Sequence, residues 1–198
     1  EEEEAIQKDL GVISNNIANA NTNGFKRSRS EFVDMYSKAL SDNPNNQSGL
    51  GALFQGTQKQ MIQGSPIMTG GALDLNISGR GFFVLSPKVG SEPRFTRDGS
   101  MGLDAYGNLI TTDGFNIAGY KRDEIDGIIR TVAEPINIPL SITNKEGRTV
   151  TLTAIGVDPE GNIETTYGLN NIIARGQIAL AKFSNESALK SVGANTYK

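Results

Sequence analysis

The feature that most limits the fold of this chain is a series of short apolar runs that begins after Gly49. The runs alternate polar with apolar residues or hold a few apolar ones together, and Gly, Asp and Asn separate them. Many short runs at this spacing are typical of an all-β sandwich or barrel. The predicted strands are Ala52–Gln58, Leu73–Ile77, Gly81–Leu85, Arg94–Arg97, Ser100–Leu103, Leu109–Thr112, Phe115–Tyr120, Ile136–Ile138, Thr149–Ile155, Ile163–Tyr167 and Ala174–Phe183. No terminal element is predicted for residues 184–198.

Two of these segments repeat one another. LDAYGNLITTDGFN at 103–116 and VDPEGNIETTYGLN at 157–170 are identical at half of their positions, and both contain D-x-x-G-N-[LI]-x-T-T-x-G. An Asp that opens a turn, with a Gly at the left-handed position, is typical of β-hairpins. The repeat therefore favours two similar hairpins over a shared ancestral unit.

The start of the chain has a different period. Apolar residues spaced by 4, 3, 4 and 3 form a heptad seam on one face of a predicted helix from about Ala5 to Thr22. The seam consists of Ile6, Leu10, Ile13, Ile17 and Ala20. Gly24 is expected to end the helix in the left-handed conformation, with Phe25 folding back on the last turn. Such a seam needs a partner to cover it.

Residues 30–49 give weaker signals. The apolar spacing over Ser30–Leu40 predicts a short helix or an irregular arm, and Asp42–Gly49 reads as a loop.

The composition excludes several kinds of site, because the chain contains neither histidine nor cysteine. Disulfides, thiol catalysis, imidazole bases and zinc sites built from these residues are ruled out. The formal net charge of −3 gives no broad basic surface for nucleic acid. The sequence also lacks an apolar run of about 18 residues, which a membrane-spanning helix would need. We predict no cofactor, no metal, no nucleic-acid partner and no membrane insertion.

Two patterns could suggest an enzyme, and both fit turns better. Gly79-Arg80-Gly81 is a lone G-x-G before FFVL, whereas a dinucleotide fingerprint needs a third glycine that opens a helix. Six aspartates could form a calcium site or a carboxylate pair, but they lie in turn sequences without the calcium-loop spacing. These are Asp98, Asp104, Asp113, Asp123, Asp126 and Asp158. A serine nucleophile would have neither a histidine base nor a G-x-S-x-G motif. The sequence therefore predicts a protein that is not an enzyme.

Four segments resemble motifs of the bacterial flagellar rod and hook family, whose members are called axial proteins. ISNNIANANTNGFKRSR at 13–29 resembles the N-terminal signature of the family. The others follow in the family's order: ALDLNISGRGFFVL at 72–85, RFTRDGSMGLDAYGNLITTDGFNIAGY at 94–120 and GQIALAKFSNESALKSVGANTY at 176–197. Together they extend over most of the chain, which is identified as a member of this family.

The resemblance implies a structural subunit that assembles with copies of itself into a helical tube. It implies a β-rich core of short antiparallel strands, an N-terminal α-helix, and a partner C-terminal helix that is missing from this sequence. The chain is therefore expected to be truncated at both ends. Implied partners are other axial proteins, hook cap or junction proteins, and the flagellar type III export apparatus. The implied location is the flagellum, outside the cell for a hook or in the periplasm for a rod, after export without a cleaved signal peptide.

On this basis the chain divides into an N-terminal helix and connecting arm at 1–48, a β-rich core at 49–183 and the start of a C-terminal segment at 184–198. Only about thirty residues separate Gly127 from Val157, so the outer domain that many hook proteins insert is absent. IAGY at 117–120 is similar to hook sequences. We favour a hook subunit, which would transmit torque as a universal joint. A distal rod subunit of the basal body is the alternative within the family, and an extracellular β-rich binding module is the alternative outside it.

Five asparagines lie within residues 15–23, and a polar helix end explains Asn23-Gly24 but not the whole run. The family resemblance implies that this amide-rich segment is a subunit interface. The interface candidates are Ile13, Asn15, Asn16, Ile17, Asn19, Asn21, Gly24, Phe25 and Lys26. Their side chains are expected to contact neighbouring backbone or adjacent subunits.

Overall fold

The chain folds as two compact units, Glu1–Gln63 and Gly64–Lys198. A computed structural model describes residues 2–34, 52–87, 92–123, 125 and 127–198. The first unit contains a helix and a hairpin, and the second contains antiparallel sheets. The predicted mainly β fold with an N-terminal helix is therefore confirmed. The division into three functional regions stays a prediction.

The first unit consists of α1 (Glu2–Ala18), β1 (Ser28–Asp34) and β2 (Ala52–Lys59). The two strands pair antiparallel, with a register shift between Glu31 and Phe32. The prediction of a short helix or irregular arm from Ser30 is thus wrong for the part that is described. Pairing with β2 supplies the backbone hydrogen bonds there, and tertiary pairing overrides a weak local pattern. Residues 35–51, including the predicted loop Asp42–Gly49, lie outside the described residues.

The helix ends four residues before the predicted Thr22. The Asn19 side chain donates to the Asn15 carbonyl at 2.9 Å, beside the Asn19 backbone bond to the same oxygen. After this point the chain makes tighter bonds that each span three residues, from Ala20 to Ile17, from Thr22 to Asn19 and from Phe25 to Thr22. Amide side chains compete for backbone groups in this way and favour turns over helix. The left-handed conformation predicted at Gly24 is present, with φ +69°.

Sheets make up the second unit. Among the described residues, a seven-stranded sheet has the order β10-β11-β12-β13-β7-β8, with β9 also paired to β7. A five-stranded sheet has the order β14-β3-β4-β16-β15, and β5 pairs with β6. The bounds are β3 Phe82–Leu85, β4 Arg94–Thr96, β5 Met101–Leu103, β6 Leu109–Thr111, β7 Ala118–Asp123, β8 Gly127–Ile128, β9 Glu134–Pro135, β10 Ser141–Thr143, β11 Thr149–Val157, β12 Asn162–Tyr167, β13 Asn171–Ile178, β14 Leu180–Ala181, β15 Ser191–Gly193 and β16 Thr196–Tyr197.

Two groups of side chains form the interior of this unit. The aliphatic core is Ile77, Phe83, Leu85, Met101, Leu109, Ile117, Ile138, Ile163 and Ile178. The second group is aromatic: the Phe82 ring lies edge-on to Phe183 at 5.8 Å and to Tyr197 at 5.7 Å. Arg97 stacks over the Phe82 ring, 5.3 Å from its centroid, and burial lowers the pKa of this guanidinium. Because β16 carries Tyr197, residues near 197 complete a sheet whose other strands begin at Phe82.

Three strand predictions need correction. Leu73–Ile77 forms only an isolated bridge between Asp74 and Ser100. Two backbone hydrogen bonds flank it, from Leu75 to Gly99 and from Met101 to Leu73, and its apolar side chains lie in or against the core. Ile136–Ile138 likewise has only a bridge at Asn137, since the strand itself lies just before it, at Glu134–Pro135. Residues 184–198, predicted to lack an element, contain a 3-10 turn at Glu186–Ala188 and the β15–β16 hairpin. A short apolar run in the sequence indicates a buried segment. It does not show whether another segment pairs with it along enough residues to make a strand.

The same type of turn occurs at three places, Asp104, Asn144 and Asp158. The sequence repeat predicted the first and third of these and not the one at Asn144. Asp104 accepts hydrogen bonds on Oδ1 from the backbone amides of Tyr106 and Asn108, both at 2.8 Å. Asn144 does the same for Glu146 and Arg148, and Asp158 for Asn162. The two aspartates also accept from the asparagine four residues later, at 2.8 Å each. The predicted hairpins are confirmed, since the Asp104 turn joins β5 to β6 and the Asp158 turn joins β11 to β12.

We expect these turns to lose stability in acid. The hydrogen bonds from Asn108 lower the pKa of Asp104, and those from Asn162 lower the pKa of Asp158. A carboxylate with a lowered folded-state pKa stabilises the fold above its unfolded value of about 3.9, and this contribution is lost as pH falls through the folded pKa. Asp158→Asn should therefore be less stable than the parent chain at neutral pH. The difference should vanish in strong acid. Urea unfolding across the acid range checks this, and an equal deficit at every pH would contradict it.

Candidate assembly surface

The seam predicted on α1 is exposed. Ile6, Leu10, Ile13 and Ile17 expose 67%, 61%, 45% and 70% of their surface. Four large apolar side chains in one row along a 17-residue helix are unusual on a solvated surface. Within the described part of the first unit, nothing covers them.

A neighbouring face of α1 packs on the β1–β2 hairpin. Ala5 is buried on this side, and Val12 and Asn16 are half-buried. Ala5, Val12 and Asn16 are spaced by seven and four residues, so the helix carries a second, less apolar stripe that the seam obscured. The hairpin therefore takes the small and polar side of the helix and leaves the isoleucines outside.

Asn16 ties the helix to the hairpin. Its Nδ2 donates to the Ser28 carbonyl at 2.8 Å, and its Oδ1 accepts from the Ser28 amide at 2.9 Å. One side-chain amide thus satisfies both backbone groups of the first residue of β1. Asn16 was predicted as an interface residue, and the structure uses its amide inside the unit. Nothing in the sequence pattern separates Asn16 from Asn15 or Asn19.

Asn16→Ala should loosen the start of β1. The variant leaves two half-buried backbone groups without partners, which costs about 1–3 kcal/mol. Hydrogen exchange at the amides of β1 should accelerate. Asn15→Ala is the matched control, because the Asn15 side chain is exposed and makes no hydrogen bond among the described residues. Equal exchange in the two variants would show that the Asn16 tie does not hold the strand.

Lys26 is also internal. It exposes only 7% of its surface, and its ammonium donates to the Ile62 carbonyl at 2.7 Å. Next to it, Arg27 donates to the Gln60 side chain at 2.7 Å. Burial lowers the pKa of the nearby strand residue Lys59. Lys26 and Arg27 thus both make contacts within the first unit.

The remaining candidates lie at or near the surface. Asn21 is exposed, Asn19 is half-buried and bonds to the Asn15 carbonyl, and Gly24 and Phe25 are half-buried in the turn before β1. A groove of about 410 Å³ runs along the first unit beside Asn15. Its lining is Lys8, Gly11, Val12, Asn15, Ser28, Phe54 and Thr57.

Comparison with known sequences assigns both units. The family profile described as "Flagella basal body rod protein" matches residues 4–26, which contain the seam and the amide cluster. The profile described as "Flagellar hook protein FlgE/F/G D1 domain" matches residues 76–165. The flagellar basal-body rod protein FlgG of Agrobacterium fabrum is 34% identical over 98% of this chain and 69% of its own length. The chain belongs to the flagellar rod and hook family.

Hook and rod proteins match different shares of the chain. The hook protein FlgE of Helicobacter mustelae is 43% identical over 62% of this chain, but the match spans 29% of that protein. FlgG of Bacillus subtilis is 32% identical over 98% of this chain and 68% of its own length. The chain thus spans well under half of the hook protein and about two thirds of the rod proteins.

The described residues of this family member hold no group of three or more acidic side chains placed to bind a metal ion. Residues 2–34, 52–87, 92–123, 125 and 127–198 also contain no helix long and apolar enough to cross a bilayer. The feature that stands out against this background is the exposed apolar row on α1, inside the segment that the rod profile matches.

Proposed function

We propose that this chain is a structural subunit that assembles with copies of itself and with other axial proteins into a flagellar tube. The observation that carries the proposal is the exposed row from Ile6 to Ile17 on α1. Four isoleucine and leucine side chains in water favour association, since burying each is worth about 1.5–3 kcal/mol. Family membership supports the same function. Export without a cleaved signal peptide is part of this proposal.

The proposed interface is smaller than the set that the sequence predicted. Ile13, Ile17, Asn15 and Asn21 present exposed side chains, so they are available to a neighbouring subunit. Asn16 and Lys26 already bond inside the first unit, so their role is to fix the shape of the surface. Asn19, Gly24 and Phe25 form the turn at its edge.

Replacing the seam with polar residues should impair assembly more than folding. We expect the double variant Ile13→Asn and Ile17→Asn, made in the full-length protein, to lower tube formation and motility. The free energy of unfolding should change by less than about 1 kcal/mol, because both side chains are exposed. Electron microscopy of purified flagella and a motility assay measure assembly.

Leu169→Asn is the matched control, since Leu169 is 94% exposed but lies in the second unit. It should leave tube formation intact. Normal tubes from the seam variant, or equal loss from the control, would count against the proposed interface.

Hook and distal rod are separated by complementation. The hook reading rests on IAGY and on the higher identity of the hook match, 43%. The rod reading rests on matches to rod proteins that run over 98% of the chain. The hook assignment expects the full-length gene to restore motility to a strain that lacks its hook protein, and not to a strain that lacks its distal rod protein. Rescue of the rod strain alone would overturn the hook reading, and rescue of neither strain would overturn the function.

A further inference from the structure

We propose that Asn23 is a site of spontaneous deamidation, which converts this amide into a carboxylate. Asn23-Gly24 is the one Asn-Gly pair in the 198 residues. The proposal concerns chemistry of the chain itself and stands whether or not the chain assembles. It rests on the exposure of Asn23, on the backbone of Gly24 and on the position of the pair between α1 and β1.

The pair lies in a turn at which Asn23 is exposed to solvent. The Asn23 side chain is exposed, and one backbone hydrogen bond of 3.2 Å, from Phe25 to Thr22, closes the turn around the pair. Among the described residues, the Gly24 backbone N–H donates no hydrogen bond. Gly24 has no Cβ to hinder attack. Its φ of +69° lies in the left-handed region, which glycine adopts as readily as the regions at negative φ.

The reaction needs only water. The Gly24 backbone nitrogen, after losing its proton, attacks Cγ of Asn23 and forms a five-membered succinimide. The Asn23 amide nitrogen leaves as ammonia, taking up the proton that the Gly24 nitrogen lost. Water then opens the ring at one of its two carbonyls, giving aspartate or isoaspartate. No oxidant or reductant takes part, and the product gains one negative charge.

The position gives the change a structural effect. The pair lies in the segment that connects α1 to β1. The Asn16 side chain of α1 bonds to the backbone of Ser28, the first residue of β1. Isoaspartate adds a methylene group to the backbone in this connection. The new carboxylate also lies three residues from the buried Lys26 ammonium. The product chain should therefore differ from the parent in the alignment of α1 on the hairpin.

Incubation of the purified chain at mildly alkaline pH tests the proposal. Peptide mapping by mass spectrometry should show loss of the amide at Asn23, with two products of equal mass, aspartate and isoaspartate. The conversion should be faster at higher pH, because attack requires the deprotonated nitrogen. Asn21 is the internal control: it is also exposed but precedes Thr22, so it should keep its amide over the same period.

A short synthetic peptide with residues 19–27 is the second control, since it lacks the folded turn. Asn23→Gln in the whole chain should abolish the two products at this position and leave the other peptides unchanged. Intact Asn23 in the folded chain, with conversion in the peptide, would overturn the proposal by showing that the turn protects the pair. Equal conversion at Asn21 would overturn the role of Gly24.

Discussion

Gly99→Ala is expected to destabilise the second unit more than almost any other single methyl group could. A Cβ at position 99 would lie 1.7 Å from the Leu75 carbonyl oxygen and 2.7 Å from its carbon. These are backbone atoms, and the Leu75 amide donates to the Gly99 carbonyl at 2.9 Å, so neither segment can move without losing that bond. We expect a loss of at least about 3 kcal/mol in the free energy of unfolding.

Gly102→Ala is the control for the methyl group itself. Gly102 lies in β5, three residues further along, and a Cβ there meets nothing within 4 Å. The control should change stability by no more than about 0.5 kcal/mol, and alanine in a strand can be slightly stabilising. Urea unfolding of both variants measures the difference. Similar urea midpoints for Gly99→Ala and the parent chain would show that the backbone at Leu75 can move away from the new methyl group at little cost.

Gly107→Ala should cost far more than the same change in the two sister turns. Gly107, Gly147 and Gly161 occupy equivalent positions, with φ of +81°, +75° and +82°. The left-handed conformation alone costs alanine about 1–2 kcal/mol, so all three variants share this penalty. At position 107 a Cβ would also lie 2.1 Å from the Ile138 carbonyl oxygen.

The other two turns are open: a Cβ at 147 meets nothing within 4 Å, and one at 161 has its nearest atom at 3.9 Å. The Ile138 amide donates to the Gly107 carbonyl at 2.7 Å, so relief of the clash would break a bond beside the fully buried Ile138. We expect Gly107→Ala to exceed the other two variants by at least about 2 kcal/mol in unfolding free energy. Equal losses would mean that backbone strain alone decides the cost.

The sequence identifies the elements whose signal is local. The heptad spacing from Ile6 to Ile17 predicts α1, and the alternation in Thr149–Ile155 predicts β11. The Asp-x-x-Gly-Asn repeat predicts its turns, because the residues that bond to each other are four apart. The third copy, at Asn144, was missed because it shares with the others only an amide or carboxylate and the glycine.

What the sequence could not show depends on partners distant along the chain. Leu73–Ile77 has the apolar content of a strand, but residues 99–101 pair with it through a single bridge and the two backbone bonds beside it, which is too short for a strand pair. At the assembly surface, the heptad spacing locates the exposed seam. The sequence does not show that Asn16 bonds inside the first unit whereas Asn21 is exposed. The distinction arises because β1 places the Ser28 backbone within reach of one amide and not the other.

The inner position of β16 in its five-stranded sheet also bears on the order in which this protein can fold. β16 lies between β4 and β15, and Tyr197 is the register partner of Phe95. Strand pairing between residues so far apart closes a long loop and slows folding. A chain that becomes available from its N-terminus can form the α1 unit early. The five-stranded sheet must wait for Tyr197, and until then the Phe82 ring lacks one of its two aromatic neighbours from that end of the chain. The sheet can therefore close only after synthesis has passed Tyr197, because an inner strand is the last of its five strands to be made.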